Sequence, residues 1–261
     1  MSEPAPRLYE PAAPPRPLWR LDAARTLFVG PLDHNASHQH GAPVFLSSLG
    51  GPFGLRLGDG PWLSCEAAMA PAGALHELQV GGEPILVLYL EPSAAGAEAF
   101  APLMRDAEEI DGALVGRSAV RSLARELYED PTSHGWAGEA LDDMLGFATA
   151  RARRAIDPRV ARAVRALEDA GDDAPSLDAV AGVAGLSPSR LQHLFTAEVG
   201  VPFRRYRAWT RMRRAIEAIV AGENFTGAAH LAGFADQAHF AHDFRRTFGA
   251  PASRSLTDVR R

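Results

Sequence analysis

The sequence contains no lysine: all 27 of its basic side chains are arginine. It has one cysteine, Cys65, which excludes an internal disulfide and a cysteine-based zinc site. Long apolar runs are lacking as well. None reaches the roughly 18 residues of a membrane-spanning helix, and the best, Ile85 to Leu90, has the length of a strand. The proline-rich N-terminus has no apolar stretch of the signal-peptide kind. These absences lead to the expectation of a soluble cytoplasmic protein with no membrane partner. Hydrophobic residues are plentiful at 46%, enough for a real core, so a wholly disordered chain is excluded.

The overall charge of -5 conceals a segregation. Residues 1–150 hold nine Arg against 20 acidic residues, a net -11, and residues 151–261 hold 18 Arg against 12, a net +6. A GC-rich genome accounts for the missing lysine but not for this division. An acidic half joined to a basic half points to two jobs on one chain, with nucleic acid a candidate partner of the second.

Residues 1–17 carry six prolines and read as a flexible or polyproline arm. Residues 18–96 form the next unit, with short apolar runs separated by turns such as Gly58-Asp59-Gly60 and Gly81-Gly82. Their regular spacing predicts a small β-barrel or sandwich. Past Pro92 the texture turns Ala-rich and charged, so 97–150 reads as a helical linker. Leu123, Leu127, Leu141 and Leu145 serve there either as dimer contacts or as core. Asp157-Pro158 has the form of a fresh helix start, and 157–257 reads as an all-helical unit.

That last unit contains a repeat. Ser176 caps a short helix, Gly185-Leu186-Ser187 is a tight turn, and Pro188 opens a second helix with Leu191, Leu194 and Phe195 as its stripe. Phe225 to Ala232, Gly233-Phe234-Ala235 and the cap Asp236, followed by Phe240, Phe244 and Phe248, repeat the arrangement. His193, Phe195, Gly200 and Pro202 match His242, Phe244, Gly249 and Pro251, each 49 residues on. Helix, glycine turn, helix is the helix-turn-helix pattern. At about 100° per residue, the face opposite Leu191 and Phe195 carries Ser189, Gln192, His193 and Thr196. The face opposite Phe240 and Phe244 carries Ala238, Ala241, His242 and Arg245. Such faces suit base edges in a major groove; for a single helix, an ordinary solvated face is the competing reading. A long helix from about Phe203 to Ala221, roughly 27 Å by its rise per residue, separates the copies. With its flanking turns it can hold two recognition helices about one DNA turn, ~34 Å, apart. Its arginines together suit phosphate contacts, although for each taken alone a solvated surface charge is the default reading.

The stretch from Ala184 to Phe195, and Ala232-Gly233-Phe234-Ala235-Asp236-Gln237 with His239-Phe240 and Phe244 to Gly249, closely resembles the DNA-binding domain of AraC/XylS bacterial transcription regulators. The resemblance spans about 157–257. It implies base contacts from Ser189, Gln192 and His193 and from Gln237, Ala238, His239 and His242. Phosphate contacts are expected from Arg190, Arg204, Arg205, Arg211, Arg245 and Arg246. His193, Ala238 and His242 stand where relatives often carry Arg or Gln, so no relative's binding sequence can be transferred. The ending Ala252-Ser253-Arg254-Ser255 is atypical too.

His38-Gln39-His40 and Pro71-Ala72-Gly73-Ala74-Leu75-His76 are similar to the His-x-His and Pro-x-Gly-x-x-His elements of cupins. The carboxylate that usually follows the first element is replaced by Ala42-Pro43-Val44-Phe45, and the late Asn is missing. His38, His40 and His76 are therefore candidates for an effector pocket or a divalent-metal site. Inherited pocket lining and strand-end hydrogen bonding are the alternatives. His34 is either a further ligand or a loop residue. No nucleophile-base pattern stands out: Ser47-Ser48 lacks an elbow, Cys65 an activating neighbour, and Leu49-Gly50-Gly51-Pro52 a phosphate-loop pattern.

The expected fold is α+β: an N-terminal cupin-like β-barrel, a helical linker and a C-terminal all-α domain with two helix-turn-helix motifs. The resemblance implies a non-enzymatic regulator that requires no cofactor. Its expected partners are double-stranded DNA, a small-molecule effector, RNA polymerase and a second copy of the chain. A metal-dependent cupin enzyme tethered to DNA, or an effector-independent repressor with a degenerate barrel, are the alternatives.

Overall fold

The computed structural model describes residues 15–94, 96–130, 135–151, 156–170 and 175–259. Most of the proline-rich arm lies outside them.

Strands β1 (Leu18–Leu21), β2 (Arg25–Pro31), β3 (His34–His38), β4 (Val44–Ser48), β5 (Phe53–Leu57), β6 (Trp62–Cys65), β7 (Ala67–Ala70), β8 (His76–Gln79), β9 (Pro84–Leu90), β10 (Met104–Ile110) and β11 (Ala113–Ser118) build the first domain. They form two sheets that do not close on each other, in the orders β1-β2-β9-β4-β7-β11-β10 and β3-β8-β5-β6. The pairings are antiparallel throughout. β9 explains why Ile85 to Leu90 lacks a polar alternation. Ile85, Val87 and Tyr89 join the core shared with the C-terminal domain, while Leu86, Leu88 and Leu90 join a second core on the other face. A strand buried on both faces reads as a continuous apolar run.

The second core is closed by a 3-10 segment (Ala97–Leu103) and by helices α1 (Arg121–Glu129) and α2 (Trp136–Arg151). Two expectations change here. Residues 104–118, read as part of a helical linker, form the β10–β11 hairpin and extend the large sheet through β7. Leu127, Leu141 and Leu145 are at most 2% exposed, so these three leucines are core and not dimer contacts, while Leu123 is partly buried and packs against the same core.

The C-terminal domain consists of α3 (Pro158–Glu168), α4 (Leu177–Ala184), α5 (Pro188–Val199), α6 (Phe203–Ala221), α7 (Phe225–Leu231) and α8 (Gln237–Phe248). Capping sets their starts. The Asp157, Ser176, Ser187, Asn224 and Asp236 side chains each accept a backbone N–H of the first turn, which satisfies donors the helix itself leaves open. Pro158 and Pro188 occupy first-turn positions where a missing N–H costs nothing. α6 carries Tyr206, Trp209, Met212 and Ile216 into the core, each at most 1% exposed.

Candidate functional site

The two helix-turn-helix units are α4–α5 and α7–α8. Gly185 and Gly233, with φ of 69° and 73°, turn the chain through the left-handed region between the helices of each unit. Leu191 and Phe195 of α5, and Phe240, Phe244 and Phe248 of α8, are buried. That seating fixes the rotation of both helices and turns their opposite faces outward. Ser189, Arg190, Gln192 and His193 on α5 are exposed, as are Gln237, Ala238, His242, Arg245 and Arg246 on α8.

Some expected contact residues are already engaged. Thr226 donates to Gln237 Oε1 at 2.8 Å, and the Ala235 amide donates to His239 Nδ1 at 3.3 Å. His239 is half-buried, with Nε2 3.6 Å from Asp243. Arg211 donates to the carbonyls of Ala232 and Gly233 and stacks on Phe234 at 4.2 Å, tying α6 to the second turn. Arg204, Arg205 and Arg246 line a cavity of about 380 Å³ between α6, α8 and the β3–β4 loop, with Gln39, Gly41 and Trp209. The other α6 arginines are also bonded inward: Arg207 to the Pro175 carbonyl, Arg213 to Thr26 and Glu91, and Arg214 to the Leu167 carbonyl.

The domains share a polar seam that sequence reading missed. Glu91, 1% exposed, pairs with Arg213 at 2.9 Å and accepts from Trp209 Nε1 at 2.9 Å and Tyr206 Oη at 3.3 Å. Burial pushes its carboxyl above the ordinary range, against the pull of Arg213. Trp19 Nε1 donates to the Ser255 carbonyl at 2.7 Å, and Asn35 Nδ2 to the Phe248 carbonyl at 2.6 Å. The Ala36 amide donates to the Gly249 carbonyl at 3.0 Å. These partners lie far apart in sequence, so no local pattern announces them.

His38, His40 and His76 converge on this seam. One ring nitrogen of each lies within 4.8 Å of the others, and all three residues are at most 3% exposed. His38 Nδ1 stands 2.7 Å from the Ala36 carbonyl and His76 Nδ1 3.0 Å from that of Ala74. A carbonyl only accepts, so both Nδ1 atoms carry the proton and both Nε2 atoms present a lone pair. His76 Nε2 and His40 Nδ1 are buried without a hydrogen-bond partner. Burial lowers all three pKa values, that of His38 to about 3, so the rings are neutral. With His40 donating through Nε2 to Tyr89 Oη, 3.5 Å away, its unpartnered Nδ1 presents a third lone pair, and three such neutral imidazoles fit a divalent transition metal. His34 lies elsewhere, 2.7 Å from the Glu77 carboxylate that also holds Arg56.

Residues 180–257 match a family model described as a helix-turn-helix domain. A search of curated proteins finds no match. Among solved structures, the chain is similar over most of its length to ToxT from Vibrio cholerae. Wild-type ToxT from strain SCE256 with a bound unsaturated fatty acid has a TM-score of 0.59 and 14% identity, covering 90% of this chain and 95% of that one. An apo variant from the same strain gives 0.62 and 14%, with 90% and 97% covered. ToxT from strain O395 bound to (E)-4-(8-methylnaphthalen-1-yl)but-3-enoic acid gives 0.52 and 12%, with 89% and 98% covered. At such identities the likeness is one of fold. Among the described residues, no helix is long and apolar enough to cross a membrane. Residues 180–257 thus carry a matched helix-turn-helix domain whose two capped units present the outer faces of α5 and α8, and the chain as a whole shares the fold of ToxT.

Proposed function

We propose that the chain is a DNA-binding transcriptional regulator of the AraC kind that reads a two-part DNA site with α5 and α8, controlled by a small-molecule effector held against its β domain. The observation that carries the reading is the outward display of Ser189, Gln192, His193, Ala238 and His242 on two helices whose opposite faces are buried. α6, 19 residues and so about 28 Å long, joins the two units. Effector control is supported by the fold: ToxT, which shares it, has been solved with a fatty acid and with a naphthyl butenoic acid. It is supported also by cavities between the two domains of about 230 and 380 Å³. In this reading the chain acts by binding rather than catalysis, in the cytoplasm. Genome-fragment selection with the full chain at physiological salt tests this. A motif with two half-elements about one helical turn, ~34 Å, apart is the expected result, and no enriched motif overturns the reading.

A further inference from the structure

The histidine cluster lies where the second reading helix meets the β domain. His40 packs on Phe248, the last residue of α8, with ring centroids 5.5 Å apart, and on Trp209 of α6 at 6.4 Å. His38 is bonded through Nδ1 to the carbonyl of Ala36, and the amide of that same Ala36 holds Gly249. Asn35 holds Phe248. Between Asn35 and His38 the β3–β8 register shifts, so the chain bulges at the point where α8 docks. A Cβ on Gly249 would collide with the Ala36 carbonyl and lie 2.7 Å from His38 Nδ1. One short segment of β3 therefore supplies both a cluster imidazole and the seat of α8.

We propose that His38, His40 and His76 form a divalent transition-metal site whose occupancy sets how firmly α8 is held to the β domain, making the metal a regulatory ligand of DNA reading. The proposal rests on the regulator reading above and names a ligand class for its β domain. Tetrahedral coordination at about 2.0–2.1 Å requires nitrogens about 3.3 Å apart, nearer than the 4.8 Å span of this cluster. Drawing them together pulls on the β3 bulge. The carbonyls of Ala36 and Ala74, each bonded to a ligand's Nδ1, act as outer partners that fix the rings. Metal affinity and DNA affinity are then linked, and each shifts the other by the same factor.

The test uses the full chain stripped with chelator and titrated with Zn²⁺, and with Co²⁺ as a spectroscopic probe. One equivalent should bind, with a visible Co²⁺ spectrum of nitrogen ligation. Hydrogen exchange of the amides at 35–38 and 248–250 should slow on binding. His76→Gln should weaken Zn²⁺ binding at least 100-fold and abolish the exchange response, while His34→Ala should keep both. Less than one equivalent bound by the wild-type chain overturns the proposal even if His76→Gln fails to fold. So does full binding by His76→Gln, or binding without a change at the seam. DNA binding by the metal-free and the Zn²⁺-loaded chain, measured on the same sample, separates the two readings: no sequence-specific binding in either state counts against the regulator reading, whereas DNA binding without Zn²⁺ binding counts against the metal site alone.

Discussion

Gln192 stands exposed on α5, one turn from the cap at Ser187, where its amide can offer paired donor and acceptor to an adenine edge. Gln192→Ala should cost about 1–3 kcal/mol on the selected site and little on random DNA; fluorescence anisotropy on both duplexes checks it. The arginines divide by their partners. Arg204 is exposed beside the basic cavity, and Arg204→Ala should weaken all sequences alike and reduce the salt slope by about one. Arg211 holds the second turn from within the protein. Arg211→Ala should therefore lower the melting temperature, by a loss of about 1 kcal/mol, and leave the salt slope nearly unchanged. A full unit of slope lost in Arg211→Ala would make it a phosphate contact instead.

Helix starts in the C-terminal half were legible because capping is local. Asp157-Pro158, Ser187-Pro188 and Asp236 begin their helices where the sequence places them, and α6 spans Phe203–Ala221 as expected. The hairpin at 104–118 was misread because Arg105, Asp106, Glu108 and Glu109 have helical composition and lie exposed on the outermost strand. Its signal was nonetheless present. Asp111-Gly112, both at positive φ (48° and 78°), is the two-residue turn that favours a hairpin. The exposed faces of α5 and α8 followed from the 3.6-residue period. The meeting of the histidines with Phe248 and Trp209 did not, because it depends on how two domains pack. Gly249 tests that packing at the level of one element. It ends α8 at φ 71° against the Ala36 carbonyl, and alanine adds both a left-handed cost of about 1–2 kcal/mol and a collision. Gly249→Ala should leave the outer face of α8 unchanged yet raise hydrogen exchange at 35–38. Unchanged exchange would mean that α8 is not held by β3.

Across the whole molecule, the two domains share one apolar core and a buried polar seam, so α5 and α8 are not borne on an independent module. Glu91 is the seam's buried carboxyl, facing Arg213, Trp209 and Tyr206, with Glu168 nearby and bonded to the same Tyr206. Removing either member of such a pair leaves the other buried without its counter-charge, which is destabilising even where the pair itself contributes little. Its titration has a definite sign. Burial raises the folded-state pKa of Glu91 above the ordinary 4.5, so between those two values the folded chain binds more protons than the unfolded chain. Stability then falls as pH rises through that window. The stabilising contribution is fully present below the unfolded value and is gone above the folded one. Glu91→Gln keeps an acceptor for Trp209 but removes the titration. Thermal unfolding of both proteins across this window should show a decline in the wild type that is missing from Glu91→Gln. Parallel curves would mean that Arg213 and its neighbours keep the carboxylate ionised throughout, with the seam acting as a permanent ion pair.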